Sequence, residues 1–240
     1  MAFYYNRCDA VFCPSKVLAN ELLEYKLKVP IHVISNPMDL DLFSSNKSKE
    51  TLRKKFGFVK PTIIHWGRLS YAKSVDVLFK AFAQIRSEGM SAHLLIIGDG
   101  PDRQKLEFLC KKLGLEEDVE FTGMLRGPDL TERVAASDFF ASASTTETQG
   151  LVFLEAMAMG LPVVGVNAGG VPEYVTNNQN GLIVESGNVK AVADAMRVLI
   201  EQPELRRRLG INAQESVKKY GADAIIEKFE KIYQELINKI

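Results

Sequence analysis

The chain has 240 residues, 46% of them hydrophobic and 25% charged, which is enough apolar material for a sizeable core in one or two domains. Its 30 basic and 30 acidic side chains cancel. That argues against a whole-surface electrostatic grip on nucleic acid, but not against a small basic pocket for a phosphate ligand. Cys8, Cys13 and Cys110 cannot all pair within one chain and have no metal-ligand spacing, which fits free thiols in a reducing, cytoplasmic compartment. No basic start with an apolar stretch behind it opens the chain, so no secretory signal is read. The most apolar run, 150–166, is broken by Glu155, Gly160 and Pro162, and reads as helix, turn and strand rather than a membrane span.

In chain order, 10–13 (AVFC) reads as a strand, 15–27 as a helix and 31–34 (IHVI) as a strand. Residues 35–55 are polar, charged and irregular, and read as a linker. Residues 61–66 (PTIIHW) form the next strand, and 74–86 a helix with Val75, Leu78, Phe79 and Phe82 on one face. After the strand 92–97, Pro101 takes a helix N1 position and Gly114 stops that helix. The pattern continues with a strand at 119–122, a helix at 130–136 and a strand at 138–141. A helix at 151–159, a strand at 162–166, a short helix at 171–176 and a strand at 181–184 complete it. From 191 onward the chain is helical, and Ile225, Ile226, Phe229, Ile232, Tyr233, Leu236 and Ile237 stripe its last helix.

Repeated strand–helix alternation predicts an α/β fold: a Rossmann-like, doubly wound parallel sheet with helices on both faces and a helical C-terminus. Residues 1–45 read as the remnant of a preceding domain plus a linker, 46–220 as the sheet domain and 221–240 as a C-terminal amphipathic helix. The remnant is too small for its own core, so self-association is expected where it and the last helix lack cover. In such a sheet, ligands meet the loops at the carboxyl ends of the strands. Those loops are 67–73, 98–102, 123–127, 142–150 and 167–170.

Gly67-Arg68-Leu69-Ser70-Tyr71-Ala72-Lys73 places a planar cation and a mobile one in one strand-to-helix loop, a pairing suited to a diphosphate. A solvated basic loop is the plainer reading. Gly98-Asp99-Gly100-Pro101 lets the backbone approach a flat ligand, or is a tight turn capped by Asp99. The segment 147–155 (ETQGLVFLE) carries most information. Glu147 precedes a helix and Glu155 lies inside it among Leu154, Ala156 and Met157. A carboxylate there needs a partner; the vicinal hydroxyls of a ribose would serve, and so would a buried salt bridge. Gly150 opens the helix, so the N–H groups of Gly150, Leu151 and Val152 favour an anion. Asp39-Leu40-Asp41 has a metal-binding shape but is a frequent accidental tripeptide in the linker. His32, His65 and His93 lack ligand spacing, so no metal is expected.

The segments HWGRLSYAK, LLIIGDGP, VEFTGML, TETQGLVFLEAMAMGLPVV and NAGGVPEYV, in this order and spacing, resemble the C-terminal half of family 4 retaining glycosyltransferases of the GT-B fold. The opening segment, ending in VISNPMDLDLF, is similar to the end of that family's N-terminal domain and its linker. The resemblance implies a nucleotide-sugar donor held by this chain, with no cofactor or metal. It implies that Arg68 and Lys73, in the loop opened by Gly67, hold the diphosphate, and that Glu155 takes the ribose hydroxyls. Glu147 and the backbone at Gln149 and Gly150 would meet the sugar, the N–H groups of Leu151 and Val152 the phosphate. Met124 and Leu125, with Asp99 nearby, would flank the base. Charge on the leaving diphosphate would be stabilised by Arg68, Lys73 and the helix N-terminus.

Two departures stand out. Many members have an aromatic residue where Gln149 stands, and TETQG is similar to enzymes that glycosylate diacylglycerol-type lipids. That favours a UDP-glucose-type donor and a lipid acceptor, with peripheral membrane contact by the full-length protein. Ser74 stands where a glycine commonly follows the lysine. On this reading the chain is the donor half of a retaining hexosyltransferase, inactive without its missing N-terminal acceptor domain. The alternatives are a stand-alone nucleotide-sugar-binding subunit that recruits a partner chain, and a phosphorylase or epimerase on the same fold.

Overall fold

The computed structural model describes residues 2–238. A short α1 (Ala2–Tyr5) precedes β1 (Val11–Cys13), α2 (Lys16–Glu24) and β2 (Ile31–Val33). After α3 (Lys49–Phe56) the chain alternates: β3 (Thr62–Trp66), α4 (Val75–Ser87), β4 (His93–Ile97), α5 (Arg103–Lys112), β5 (Val119–Gly123), α6 (Pro128–Ala136), β6 (Phe139–Ala141), α7 (Leu151–Ala158), β7 (Val163–Val166) and β8 (Gly181–Val184). Helices α8 (Val189–Glu201), α9 (Pro203–Val217) and α10 (Ala222–Ile237) close it.

Strands β3 to β8 form one six-stranded sheet in the order β5-β4-β3-β6-β7-β8, and every pairing is parallel. Side chains alternate across it, as strand geometry requires. Ile63, Leu94, Ile96, Phe139 and Val164 join one core with Leu78, Phe79 and Phe82 of α4 and Met196 and Leu199 of α8. Ile64, Trp66, Leu95, Ile97 and Phe140 join the other with Leu52 of α3, Val134 of α6, Phe153 and Leu154 of α7 and Ala213 of α9. Each fully buried Leu, Ile or Phe contributes about 1.5–3 kcal/mol. Because both faces are covered, β4, β6, β7 and the middle of β3 are near-continuous apolar runs that stand out in the sequence, whereas the edge strand β5 (VEFTG) alternates and leaves Glu120 exposed.

The linker reading of 35–55 needs correction: α3 occupies its second half, and a 3₁₀ turn (Leu40–Leu42) its first. The Ser48 side chain caps α3, Gly57 ends it in the left-handed conformation (φ 69°), and only Leu52 is buried. With only Leu52 and Phe56 apolar in KETLRKKF, the stripe is too thin to see in the sequence. Pro101 also differs from expectation. It sits in the turn before the N-cap Asp102, so α5 begins at Arg103. The helix expected at 171–176 is a single 3₁₀ turn, Val171–Glu173.

The β1–α2–β2 unit pairs its strands in parallel, has a small core of Val11, Cys13, Ala19 and Leu22, and is tied to the sheet domain. The Glu173 carboxylate accepts from the Lys16 and Val17 N–H groups at 3.0 and 3.2 Å, filling the N-terminus of α2 with a negative charge. The Tyr174 hydroxyl donates to Pro14 O at 3.0 Å. Where the outgoing and returning segments cross, Met38 N donates to Tyr220 O and Ala222 N to Met38 O. Helix α10 then covers β1, with Phe12 against Phe229 and Tyr233 at 5.2 and 5.5 Å between centroids. The striped helix and the N-terminal unit thus cover each other in part, while Ile226, Tyr233 and Ile237 remain exposed.

His65 bonds across the middle of the sheet. Its Nδ1 lies 3.0 Å from Ala141 O, which makes Nδ1 the protonated nitrogen and joins β3 to β6. The ring is 2% exposed and Nε2 has no partner among the described residues. Burial first, and the Lys73 charge after it, pull its pKa down from 6.5 to about 4, against the Ala141 bond and Glu147. A folded pKa below the unfolded one means that the unfolded chain binds more protons between those values, so stability falls as pH drops through that window. The full effect is about 3 kcal/mol. Denaturant unfolding of the wild type and His65→Gln at pH 7 and pH 4 checks this: the stability difference should shift against the wild type by roughly that amount. A pH-independent difference would refute it.

Candidate functional site

Strands β3 and β6 are neighbours, yet the helices that follow them go to opposite faces: α4 joins one core and α7 the other. The loops leaving the two strands therefore diverge and leave a crevice at their carboxyl ends, the place where doubly wound sheets take ligands.

Backbone contacts lace the rim. Gly67 N donates to Ile97 O at 3.0 Å, Leu69 N to Asp99 O at 2.9 Å and Gly98 N to Gly123 O at 2.8 Å, so the loops after β3, β4 and β5 lie against one another. Gly98 has φ 144°, and a Cβ there would strike Gly67 O. On the other side, Ser144 Oγ and Thr146 Oγ1 reach Ala72 O at 3.4 and 3.2 Å, joining the loop after β6 to the 3₁₀ turn that carries Lys73. Gly170 N donates to Glu147 O at 2.7 Å, and a Cβ at Gly169 would strike the same oxygen. The five sequence-selected loops make one continuous rim.

At its centre Lys73 Nζ and Glu147 Oε1 are 2.5 Å apart, with Glu147 buried and Lys73 half-buried. Arg68 is exposed and makes no ion pair among the described residues. Ser74 ends the turn with φ 49°, ψ 38°, a left-handed conformation that costs a residue with a Cβ about 1–2 kcal/mol. This is the physical reason why glycine suits that position. Gly150 is left-handed too (φ 69°) and turns the chain into α7. The N–H groups of Leu151 and Val152, at the first turn, lie beyond the reach of intrahelical acceptors. Leu151 is exposed and Val152 half-buried, so this helix end is open to an anion.

Glu155 lies one turn further along α7, half-buried. Its Oε2 accepts from Trp66 Nε1 at 2.9 Å. Burial pushes its carboxyl pKa up, and the Trp66 N–H opposes that. The partner demanded by a carboxylate inside an apolar helix is thus an indole, at least on one oxygen. Trp66 was not singled out in the sequence; a lone tryptophan ending the strand ahead of Gly67-Arg68 was the available signal. Gln149 is buried and its side chain turns away to the linker: Oε1 accepts from Asn36 N and Nδ2 at 3.2 and 2.6 Å, and Nε2 donates to Ser35 Oγ at 2.5 Å. Only its backbone is left for a ligand.

Asp99, Met124 and Leu125 stand at the β4–β5 end of the rim, away from the Lys73–Glu147 centre. Asp99 does not cap α5. It accepts from Gly100 N at 2.7 Å and from Arg103 Nη1 at 3.4 Å. Met124 is 57% exposed and Leu125 half-buried. Asp39 caps the 3₁₀ turn of the linker, and no group of three metal-ligating side chains occurs among the described residues. No helix among them is long and apolar enough to cross a membrane.

Comparison with known proteins agrees with this fold. The chain is 33% identical over 239 residues to N-acetyl-alpha-D-glucosaminyl L-malate synthase of Bacillus anthracis, covering 98% of this chain and 62% of that protein. It is 36% identical over 162 residues to alpha-monoglucosyldiacylglycerol synthase of Streptococcus pneumoniae, covering 65% and 37% respectively. Among solved structures, the Anabaena protein HepE in complex with UDP superposes with a TM-score of 0.88 at 26% identity, covering 98% of this chain and 66% of that one. This chain therefore spans less than two thirds of the length of the Bacillus anthracis enzyme. The family model for glycosyl transferases group 1 matches residues 48–216, and with its parallel sheet and switch-point crevice the chain belongs to that family.

Proposed function

We propose that this chain holds the donor of a retaining hexosyltransferase, a nucleotide sugar of the UDP-glucose type, and that the sugar passes to a hydroxyl acceptor. A diacylglycerol-type lipid is the first acceptor to test. The observation that carries the reading is the Lys73–Glu147 pair set beside the open N-terminus of α7, with Arg68 exposed in the loop that carries Lys73. HepE, of similar fold, has been solved with UDP and with UDP-glucose, and the Streptococcus pneumoniae relative is a glucosyldiacylglycerol synthase.

In this reading Arg68 and Lys73 neutralise the diphosphate, and the N–H groups of Leu151 and Val152 add the helix dipole. Glu147 meets the sugar while holding Lys73 in place. Glu155 receives the ribose hydroxyls, and the loop bearing Met124 and Leu125, with Asp99 beside it, flanks the base. As the glycosidic bond to phosphate breaks, negative charge grows on the leaving diphosphate, where these groups stand ready to stabilise it without reorganising. The retaining course follows the family resemblance, in which the leaving phosphate assists deprotonation of the acceptor on the same face of the sugar.

Three outcomes check the reading. UDP should bind with undiminished affinity in EDTA by calorimetry, since the counter-charge is supplied by the protein; binding that needs added magnesium or manganese would overturn this. Glu155→Gln should weaken UDP and UDP-glucose alike by about tenfold, as loss of a hydrogen bond to a charged group costs about 1.5–3 kcal/mol. Glu147→Gln keeps an amide oxygen that can still accept from Lys73, so it should affect mainly the sugar-bearing donor. Equal effects of the two substitutions on plain UDP would show the roles to be wrong. In a radiolabel assay with UDP-glucose and diacylglycerol, the 240-residue chain alone should bind donor without useful turnover, because holding donor and acceptor together contributes about 7–11 kcal/mol and the chain spans 62% of its Bacillus anthracis relative. Robust transfer by the purified chain would refute that.

A further inference from the structure

Trp66 is the chain's single tryptophan and the last residue of β3. It is 6% exposed and its ring packs edge-on against Phe140, with centroids 4.6 Å apart and planes at 65°. Phe140 is itself wedged against Phe153 of α7 at 5.0 Å. The indole is therefore held against Phe140 of β6, which is itself backed by α7. It has one polar group, a donor, and that donor is given to Glu155 Oε2 at 2.9 Å.

Glu155 Oε1 has no protein donor among the described residues, and it is not sealed from solvent, since His65 Nε2 is the one buried side-chain polar atom left without a partner there. One carboxylate oxygen is thus anchored, and the other is uncommitted and not fully enclosed. A carboxylate swinging freely would lose rotational freedom on meeting a ligand; one already anchored loses less. The anchor has a second effect: an N–H donated to the ionised form opposes the burial that otherwise favours the neutral acid. The ionised form is the one that can accept from both hydroxyls of a cis-diol.

We propose that Trp66 is a positioning residue for ribose recognition: its indole N–H fixes one oxygen of Glu155 so that the other meets the ribose hydroxyls, and the site selects ribonucleotides over deoxynucleotides through this pair. The inference rests on the reading of Glu155 as the ribose ligand. Packing alone would give Trp66 no influence on the sugar of the nucleotide, and that separates the two roles.

The test uses UDP and 2′,3′-dideoxy-UDP as paired probes in calorimetry. The proteins are the full chain, Trp66→Phe, Glu155→Gln, their double variant, and a form with benzothienylalanine in place of Trp66. That isostere keeps the ring size and lacks the N–H, so it retains the packing if Trp66→Phe unfolds the protein. The wild type should prefer UDP. The isostere should bind UDP about tenfold more weakly and dideoxy-UDP unchanged, and the double variant should be no worse than Glu155→Gln. UDP, and not dideoxy-UDP, should also shift the emission of Trp66, which has no other tryptophan to mask it. Equal weakening of both nucleotides by the isostere, or additive losses in the double variant, would overturn the positioning role while leaving Glu155 as the ribose ligand. A wild type that binds the two nucleotides equally would instead overturn the ribose reading of Glu155, and this inference with it.

Discussion

The crevice exists because two adjacent parallel strands send their helices to opposite faces of one sheet. Strands β3 and β6 share a register, Ile63 with Phe139 and Ile64 with Phe140, and His65 adds a side-chain bond to Ala141 just beyond it. Their following helices belong to different cores. If α4 and α7 lay on the same face, the loops carrying Lys73 and Glu147 would run together over the sheet and close the gap. Both cores must be filled for this geometry to hold, so the apolar strands and the binding crevice are consequences of one topology.

Within the crevice the charges are balanced before any ligand arrives. Glu147 is buried, and a buried carboxylate without a cation is costly; Lys73 meets that need. The pair also keeps the ammonium at the mouth of α7 instead of loose in solvent. Arg68 is left exposed and uncommitted in the same loop. A built-in pair beside an uncommitted guanidinium satisfies the buried carboxylate and leaves one positive charge free. The glycines at 98, 169 and 170 serve the same end, because backbone atoms of neighbouring loops occupy the space their side chains would need.

The N-terminal unit is joined to this site more closely than a flexible connection would allow. Gln149, in the loop after β6, has its amide committed to Ser35 and Asn36, and Glu173, just past the Asn167–Gly170 turn, caps α2. The crossing of the chain at Met38 and Gly221 and the seat of α10 on Phe12 complete the attachment. Segments that flank the crevice thus also hold the neighbouring unit, so a shift of that unit would be felt at the N-terminus of α7.

Much of this was legible in the residues. Apolar strands and striped helices set the alternation, because burial on both faces leaves the central strands few polar positions to blur the pattern. Arg68, Lys73, Glu147 and Gly150 stood out because cations, a carboxylate and a helix-opening glycine fall at strand ends, where a parallel sheet must place its ligand loops. Helix α3 was hidden, since one buried leucine among lysines makes no stripe. What each polar group touches was not legible at all. Trp66 and Glu155 are 89 residues apart, and Gln149 and Asn36 are 113 apart. Local propensity and periodicity act over a few turns of chain, whereas these partners meet only once strand order has decided which loops are neighbours. The chemistry at the crevice was therefore written in residue types, and its pairing was decided by the packing of the sheet.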